Sequence, residues 1–202
     1  MLLYGGSGHA KVVLDCLQAQ RVVVTGIFDD NPNLKQLLHV PVIGAYRAET
    51  RADEPLVIAI GDNGIRRRVA GLVRHSFGRA VHPSALVSGL ETQVGVGTVI
   101  FHQAVVQAST KIGNHCIVNT AAVVEHDCTV ADFVHVSPHA TLCGGVTVGE
   151  GTHIGAGATV IPGIRIGRWC VVGAGSVVVR DLPDLAVAVG VPAKVIRERD
   201  EE

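Results

Sequence analysis

Residues 112–136 read IGNHCI-VNTAAV-VEHDCT-VADFVH-V, and each six-residue segment opens on Ile or Val. Extending this frame in both directions gives Val94, Ile100, Val106, Ile112, Val118, Val124, Val130, Val136, Leu142, Val148, Ile154, Val160, Ile166, Val172 and Val178, fifteen consecutive matches without a slip. A small or β-branched residue usually stands four places on, as in Thr98, Ala104, Cys116, Ala122, Cys128 and Ala140. Gly often follows the aliphatic residue, as in Ile112-Gly113, Val148-Gly149 and Ile166-Gly167. A period of six fits neither an α-helix nor simple strand alternation. It fits a coil of short strands joined by tight corners, the hexapeptide β-helix. A Val-rich sandwich would need loops of varied length and would break the frame.

Upstream, the rhythm is strand, Gly-rich turn, helix, strand. Leu2–Tyr4 is a short apolar run followed by Gly5-Gly6-Ser7-Gly8-His9, and Ala10–Gln20 carries Val12, Val13, Cys16 and Leu17 at helical spacing. Arg21–Phe28 is a β-branched run ending at Asp29-Asp30-Asn31-Pro32. Leu56–Ile60 is a third strand, closed by Gly61-Asp62-Asn63-Gly64 before a basic helix over Ile65–His75. Alternating strands and helices imply a small parallel βαβ sheet. The expected organisation is an α/β subdomain over 1–78 and a β-helix over 79–202, the last coil closed by Asp181–Val189 and followed by a Gly190–Lys194 tail.

Composition agrees with thin layers of aliphatic side chains: 48% of the 202 residues are apolar, but only 3% are aromatic. A net charge of −1 gives no electrostatic case for nucleic acid or an anionic membrane. No apolar run approaches the ~18 residues of a membrane span, and the N-terminus shows no leader pattern. Five scattered cysteines without CxxC spacing fit reduced thiols, so a cytoplasmic location is expected.

The glycine loop after the first strand, at a helix start, suits a phosphate. Lys11 stands where a dinucleotide motif would place its third glycine, so NAD is poorly supported, and a plain tight turn is the competing reading. On register alone, His126 is about as well explained as a surface or intersubunit histidine as it is by a catalytic role.

Two sets of residues carry a resemblance. Asn119-Thr120, Val124-Glu125-His126-Asp127-Cys128 and Phe133-Val134-His135-Val136-Ser137 resemble the bacterial hexapeptide-repeat sugar acetyltransferases of the sialic acid, bacillosamine and perosamine type. Tyr4-Gly5-Gly6-Ser7-Gly8-His9, Phe28-Asp29-Asp30 and Ala59-Ile60-Gly61-Asp62-Asn63 resemble the nucleotide-sugar pocket of the same enzymes. The resemblance implies a left-handed prism with three hexads per coil. It also implies a homotrimer with acetyl-CoA in the clefts between neighbours and a nucleotide-activated amino sugar as acceptor; no metal is expected, since the histidine column lacks a third ligand.

In that frame His126 is the implied general base, supported by Glu125 and Asn119. Ser7, Gly8, His9, Asp29, Asp30 and Gly61 bind the acceptor, the glycine loop at its diphosphate and the paired Asp at its nucleoside. His135, Gly144, Ala156 and Lys194 line the acetyl-CoA groove, although a solvated tail lysine is an equal reading of Lys194. Three hexads per coil place His126 between Ala108 and Gly144, so Gly144 is expected to open a slot for a thin ligand along the prism. Ordinary imidazole titrates near neutral pH, which suits a base that takes a proton from an attacking amine. Glu125 and Asp127 flank His126, and strand geometry would let at most one of them face its ring. Cys116 and Cys128 occupy the small inward position and read as core filler rather than nucleophiles.

Three other functions are compatible with the sequence. One is O-acetylation of sialic acid or a related sugar. Another is a zinc hydratase of the carbonic anhydrase type, raised by His135 and His153 standing 18 residues apart in one column, with the third ligand missing. The last is a non-catalytic nucleotide-sugar-binding scaffold.

Overall fold

The computed structural model describes residues 1–199. Strand β1 (Leu2–Tyr4) lies between β2 (Gly26–Phe28) and β5 (Leu56–Ile58), parallel to both. These three strands are buried at every position, as expected of a parallel sheet covered on both faces. Two strands that the sequence pattern did not signal extend the sheet: β3 (Gln36–Leu37) and β4 (Val40–Gly44) form a hairpin, and β4 pairs with β2. The pattern was hidden because β4 contains Pro41 and alternates only loosely between buried and exposed positions. Helix α1 (Gly8–Ala19) covers one face, burying Val13, Cys16 and Leu17. Helix α2 (Asn63–Leu72) covers the other, packing Val69 against Leu2 and Phe28.

From Ala80 onward the chain winds into a left-handed parallel β-helix of two-residue strands. Its first face carries Ala80–Val81, Val99–Ile100, Ile117–Val118, His135–Val136, His153–Ile154 and Val171–Val172. The second runs from Leu86–Val87 to Val177–Val178, and the third from Gln93–Val94 to Arg165–Ile166. The prism therefore begins two strands before Val94. Val87 and Val94 are seven residues apart rather than six, and that single insertion at the corner containing the exposed Leu90 hides the first two strands from a six-residue frame.

The aliphatic residue of each hexad points inward, and from Ile100 to Val178 all are at most 3% exposed. Each contributes about 1.5–3 kcal/mol by leaving water. The small inward residues do more than fill space. Thr98, Thr110 and Thr152 donate to corner carbonyls at 2.7–2.8 Å, and the Cys116 and Cys128 thiols reach others at 3.0 and 3.2 Å. Burial pushes these two thiols up to about 12 and about 11, so both are inert core groups.

Beyond the last coil, Leu182 bridges to Ile166 and Ala186–Val189 joins the first face. The chain then turns back, and Lys194–Glu198 pairs antiparallel with that strand, where the sequence reading had only a tail. The α/β unit docks on the first face. Val13 and Leu17 of α1 share one buried cluster with Val99, Phe101 and Ile117 of the prism.

Candidate active site

The glycine loop is built for close approach. A side chain on Gly6 would strike Leu34 at 2.5 Å, and its amide donates to Asp29 Oδ2 at 2.7 Å. Asp29 Oδ1 accepts from Asn31 N, so this carboxylate braces the loop with both oxygens. Asp30 receives the Tyr4 hydroxyl at 3.3 Å. Ser7 and Gly8 are exposed, and Ser7 makes no side-chain cap on α1. Ala10 N turns back to Ser7 O at 3.1 Å, and with no side-chain cap the start of the helix suits an anion.

Across the seam, the prism presents a ladder of histidines. His135 and His153 stack with ring centroids 4.8 Å apart and planes 2° apart. Asn119 Nδ2 lies 3.0 Å from His135 Nε2, and Ser137 Oγ lies 2.7 Å from His153 Nε2. The Gly61 backbone lies close enough to the His135 ring to favour its protonated form slightly, against the larger effect of burial. An amide nitrogen can only donate, so His135 Nε2 accepts from Asn119 and Nδ1 carries the proton. His9 faces this seam edge-on to Phe101, and a side chain on Gly61 would touch its ring at 3.8 Å. Burial, with nearby Arg66 and neighbouring rings, holds His9 down at about 4 and His135 at about 3; His153 is lowered for the same reason. All three are neutral at pH 7. Beside them lies a cavity of about 590 Å³ bounded by Gly61, Asn63, His135, His153, Trp169 and Arg199.

His126 lies elsewhere. It sits in the turn between the second and third faces, which is the corner opposite the first face. Its side chain is 63% exposed, and Nδ1 is 2.8 Å from Asp127 Oδ2. The strand argument about flanking carboxylates does not hold there. Residues 126–127 form a turn, and Asp127 adopts φ +59°, a left-handed conformation Asp tolerates, which swings its carboxylate beside the ring. Among the described residues the Glu125 carboxylate makes no hydrogen bond to His126. Asn119, expected beside His126, instead contacts His135.

The His126 ring also fills the space above Gly144. A Cβ there would lie 2.7 Å from Cε1 and 2.8 Å from Nε2, so the slot expected at Gly144 holds the imidazole itself. Gly144→Ala is expected to displace the ring and lower turnover about tenfold. Its melting temperature should stay within about 2 °C, since the clash is with an exposed side chain that can swing aside. Ala156 is exposed in a turn between the first and second faces, and Lys194 is exposed on the antiparallel edge strand. The structure thus places the α/β unit, Asn119 and His135 at the first face and His126, Glu125 and Gly144 at the opposite corner, with Ala156 and Lys194 apart from both.

His135 and His153 face each other as a stack rather than converging on a point. Among the described residues no group of three or more His, Cys, Asp or Glu side chains is placed to hold a metal. No helix among them is long and apolar enough to cross a membrane.

A prism of hexapeptide repeats with an α/β lobe on one face defines a left-handed β-helix protein with an appended α/β domain. Residues 1–72 match the PglD N-terminal domain, and residues 145–180 match the bacterial transferase hexapeptide (six repeats). Among solved structures, the chain is 41% identical to a histidine-to-asparagine mutant of perosamine N-acetyltransferase from Caulobacter crescentus in complex with CoA and GDP-perosamine. That match covers 98% of this chain and 96% of the other, with a TM-score of 0.93. It is 34% identical to the acetyltransferase domain of PglB from Neisseria gonorrhoeae, over 96% of this chain and 98% of that one, with a TM-score of 0.90. WeeI from Acinetobacter baumannii is 25% identical over 96% of this chain and 98% of the other, with a TM-score of 0.85. A comparison with curated protein sequences gives no match. The chain belongs to the hexapeptide-repeat sugar acetyltransferases of the sialic acid, bacillosamine and perosamine type, and it is an acyltransferase.

Proposed function

We propose that the protein transfers an acetyl group from acetyl-CoA to the amino group of a nucleotide-linked 4-amino-4,6-dideoxy sugar. Residues 1–78 would hold the acceptor, with its diphosphate at Ser7, Gly8 and His9 and its nucleoside near Asp30. Residues 79–202 would carry out the transfer. The amine nitrogen attacks the thioester carbonyl while its proton passes to His126 Nε2. The tetrahedral intermediate then collapses, the C–S bond breaks, and the CoA thiolate takes a proton. Asp127 serves as the orienting group, because its bond to Nδ1 keeps the proton there and leaves Nε2 as the base. Glu125 is left with a supporting place beside the turn.

The observation that carries the assembly part of this reading is the separation of His126 from the His135 face. Acceptor lobe and proposed base can meet only if the His126 corner of a second copy approaches the first face. The outward positions of the second face, Leu86, Val105, Val123, Thr141, Thr159 and Val177, are apolar or β-branched, and Leu86 is 69% exposed. On the third face they are Gln93, Lys111, Thr129, Thr147 and Arg165. The contrast supports a homotrimer packed through the second face, with acetyl-CoA in the clefts along Gly144, Ala156 and His135. A cytoplasmic location accords with five unpaired cysteines.

The test is acceptor turnover with acetyl-CoA, read as free thiol release, over UDP-, GDP- and dTDP-linked 4-amino sugars and free sialic acid. Release with only the free sugar would overturn the nucleotide reading. Trp169 is the only tryptophan and lines the cavity beside His135. A nucleotide sugar is therefore expected to change its emission saturably, and a free sugar to leave it unchanged.

A further inference from the structure

Arg66 heads the fully buried large side chains, at 1% exposure, and its guanidinium meets carbonyls rather than a carboxylate. Nε donates to His115 O at 2.8 Å and Nη2 to Phe133 O at 2.9 Å, both at prism corners. Nη1 donates to Ile60 O and Gly61 O, each at 3.0 Å, and to Asp62 O at 3.3 Å. Nη2 also reaches Asn63 Oδ1 at 2.8 Å, and Asn63 Nδ2 donates in turn to Gly151 O at 2.9 Å. One cation thus ties three successive carbonyls of the loop beside the His135 cavity to two corners of the prism. A guanidinium brings five N–H donors in a rigid fork to these six acceptors, so one N–H is shared; an ammonium has three.

The tied loop includes Gly61, whose backbone lies beside the His135 ring and which lines the same cavity as that ring. We infer that Arg66 is a positioning residue for acyl transfer: it fixes the Ile60–Asp62 loop over His135, so that acceptor and ring keep one relative geometry. This rests on the acceptor reading above. Its charge has a second consequence. The groups facing the ladder are His9 from α1, Asp62 and Arg66 around the start of α2, Asn119 and Ser137 from the prism, and Arg199 from the C-terminal segment. Of these, Arg66 opposes protonation of His9, His135 and His153 alike, after burial itself.

The test compares Arg66→Lys, Arg66→Met and Asn63→Ala by steady-state kinetics and, without substrates, by ring NMR of His135 against pH. Arg66→Lys is expected to raise the acceptor KM about tenfold, a loss of about 1.4 kcal/mol. The acetyl-CoA KM should stay within about twofold. His135 is expected to lose its single tautomer in both Arg66 variants and to titrate closer to neutral pH in Arg66→Met. Asn63→Ala should raise the acceptor KM without moving that titration. A folded Arg66→Lys with unchanged acceptor KM and unchanged His135 signals would overturn the inference. So would an equal rise in both KM values with only a lower melting temperature. If Arg66→Met does not fold, the other two variants decide. If the wild-type protein acetylates no nucleotide amino sugar, the functional reading fails, and the NMR comparison still tests whether Arg66 governs the loop and His135.

Discussion

Replacing His126 with alanine is expected to lower kcat by about 10²- to 10⁴-fold, the usual contribution of a positioned general base. The melting temperature should stay within about 2 °C of wild type. The ring is 63% exposed and its polar contact is with Asp127, so its loss leaves no core cavity. Asp127→Asn should act in the same direction but less strongly, about tenfold in kcat, because the ring survives and only its tautomer and orientation are freed. Single-turnover rates with saturating acceptor and acetyl-CoA measure the chemical step directly. A folded His126→Ala protein that turns over at the wild-type rate would remove His126 from the mechanism and leave the ladder around His135 as the place to look.

The second large effect is on stability at acid pH. His9 and His115 are held down at about 4 and His135 at about 3, in each case chiefly by burial. His9 Nε2 and His115 Nδ1 are also buried without a hydrogen-bond partner. The unfolded chain binds protons at these sites near pH 6.5, and the folded chain only at lower pH. Stability is therefore complete above about pH 6.5 and falls as the pH drops toward about 4. A histidine held at about 4 loses about 2 kcal/mol between pH 8 and pH 5. His9 and His135 are partly exposed, so their shares are discounted. The three together should still lower the melting temperature by roughly 10 °C over that interval. His115 stacks on Phe133, with planes 4° apart, in a column of left-handed corner residues. Phe is already accommodated one coil on, so His115→Phe should fold and lose part of the acid sensitivity. Melting curves at the two pH values check this; a wild-type transition that does not move would show that these rings protonate without cost in the folded state.

Much of the prism was legible because its physics is local and repeated. An aliphatic residue at every sixth position must face one interior, and the residue four places on must be small enough to sit inside a corner. The second task of those small residues was not legible: Thr98, Thr110, Thr152 and the Cys116 and Cys128 thiols also bond corner carbonyls about 15 residues along the chain. The prism's first two strands were missed because one inserted residue before Val94 shifts the frame, and β3 and β4 because so short a hairpin with Pro41 has no clear period. Arg66 read only as part of a basic helix. Its burial depends on carbonyls at His115 and Phe133, 49 and 67 residues away, which no local pattern reports.

The sequence by itself determined the coil, its inward residues, the inert place of Cys116 and Cys128, and the glycine loop, since each follows from spacing between near neighbours. Tertiary structure alone decided that Asp127 bonds His126, that Asn119 belongs to His135, and that these two histidines occupy a corner and the face opposite it. The physical reason is that a closed prism fixes direction as well as spacing. A left-handed corner can turn adjacent side chains together, and the thickness of the core separates residues that are only nine positions apart in the chain.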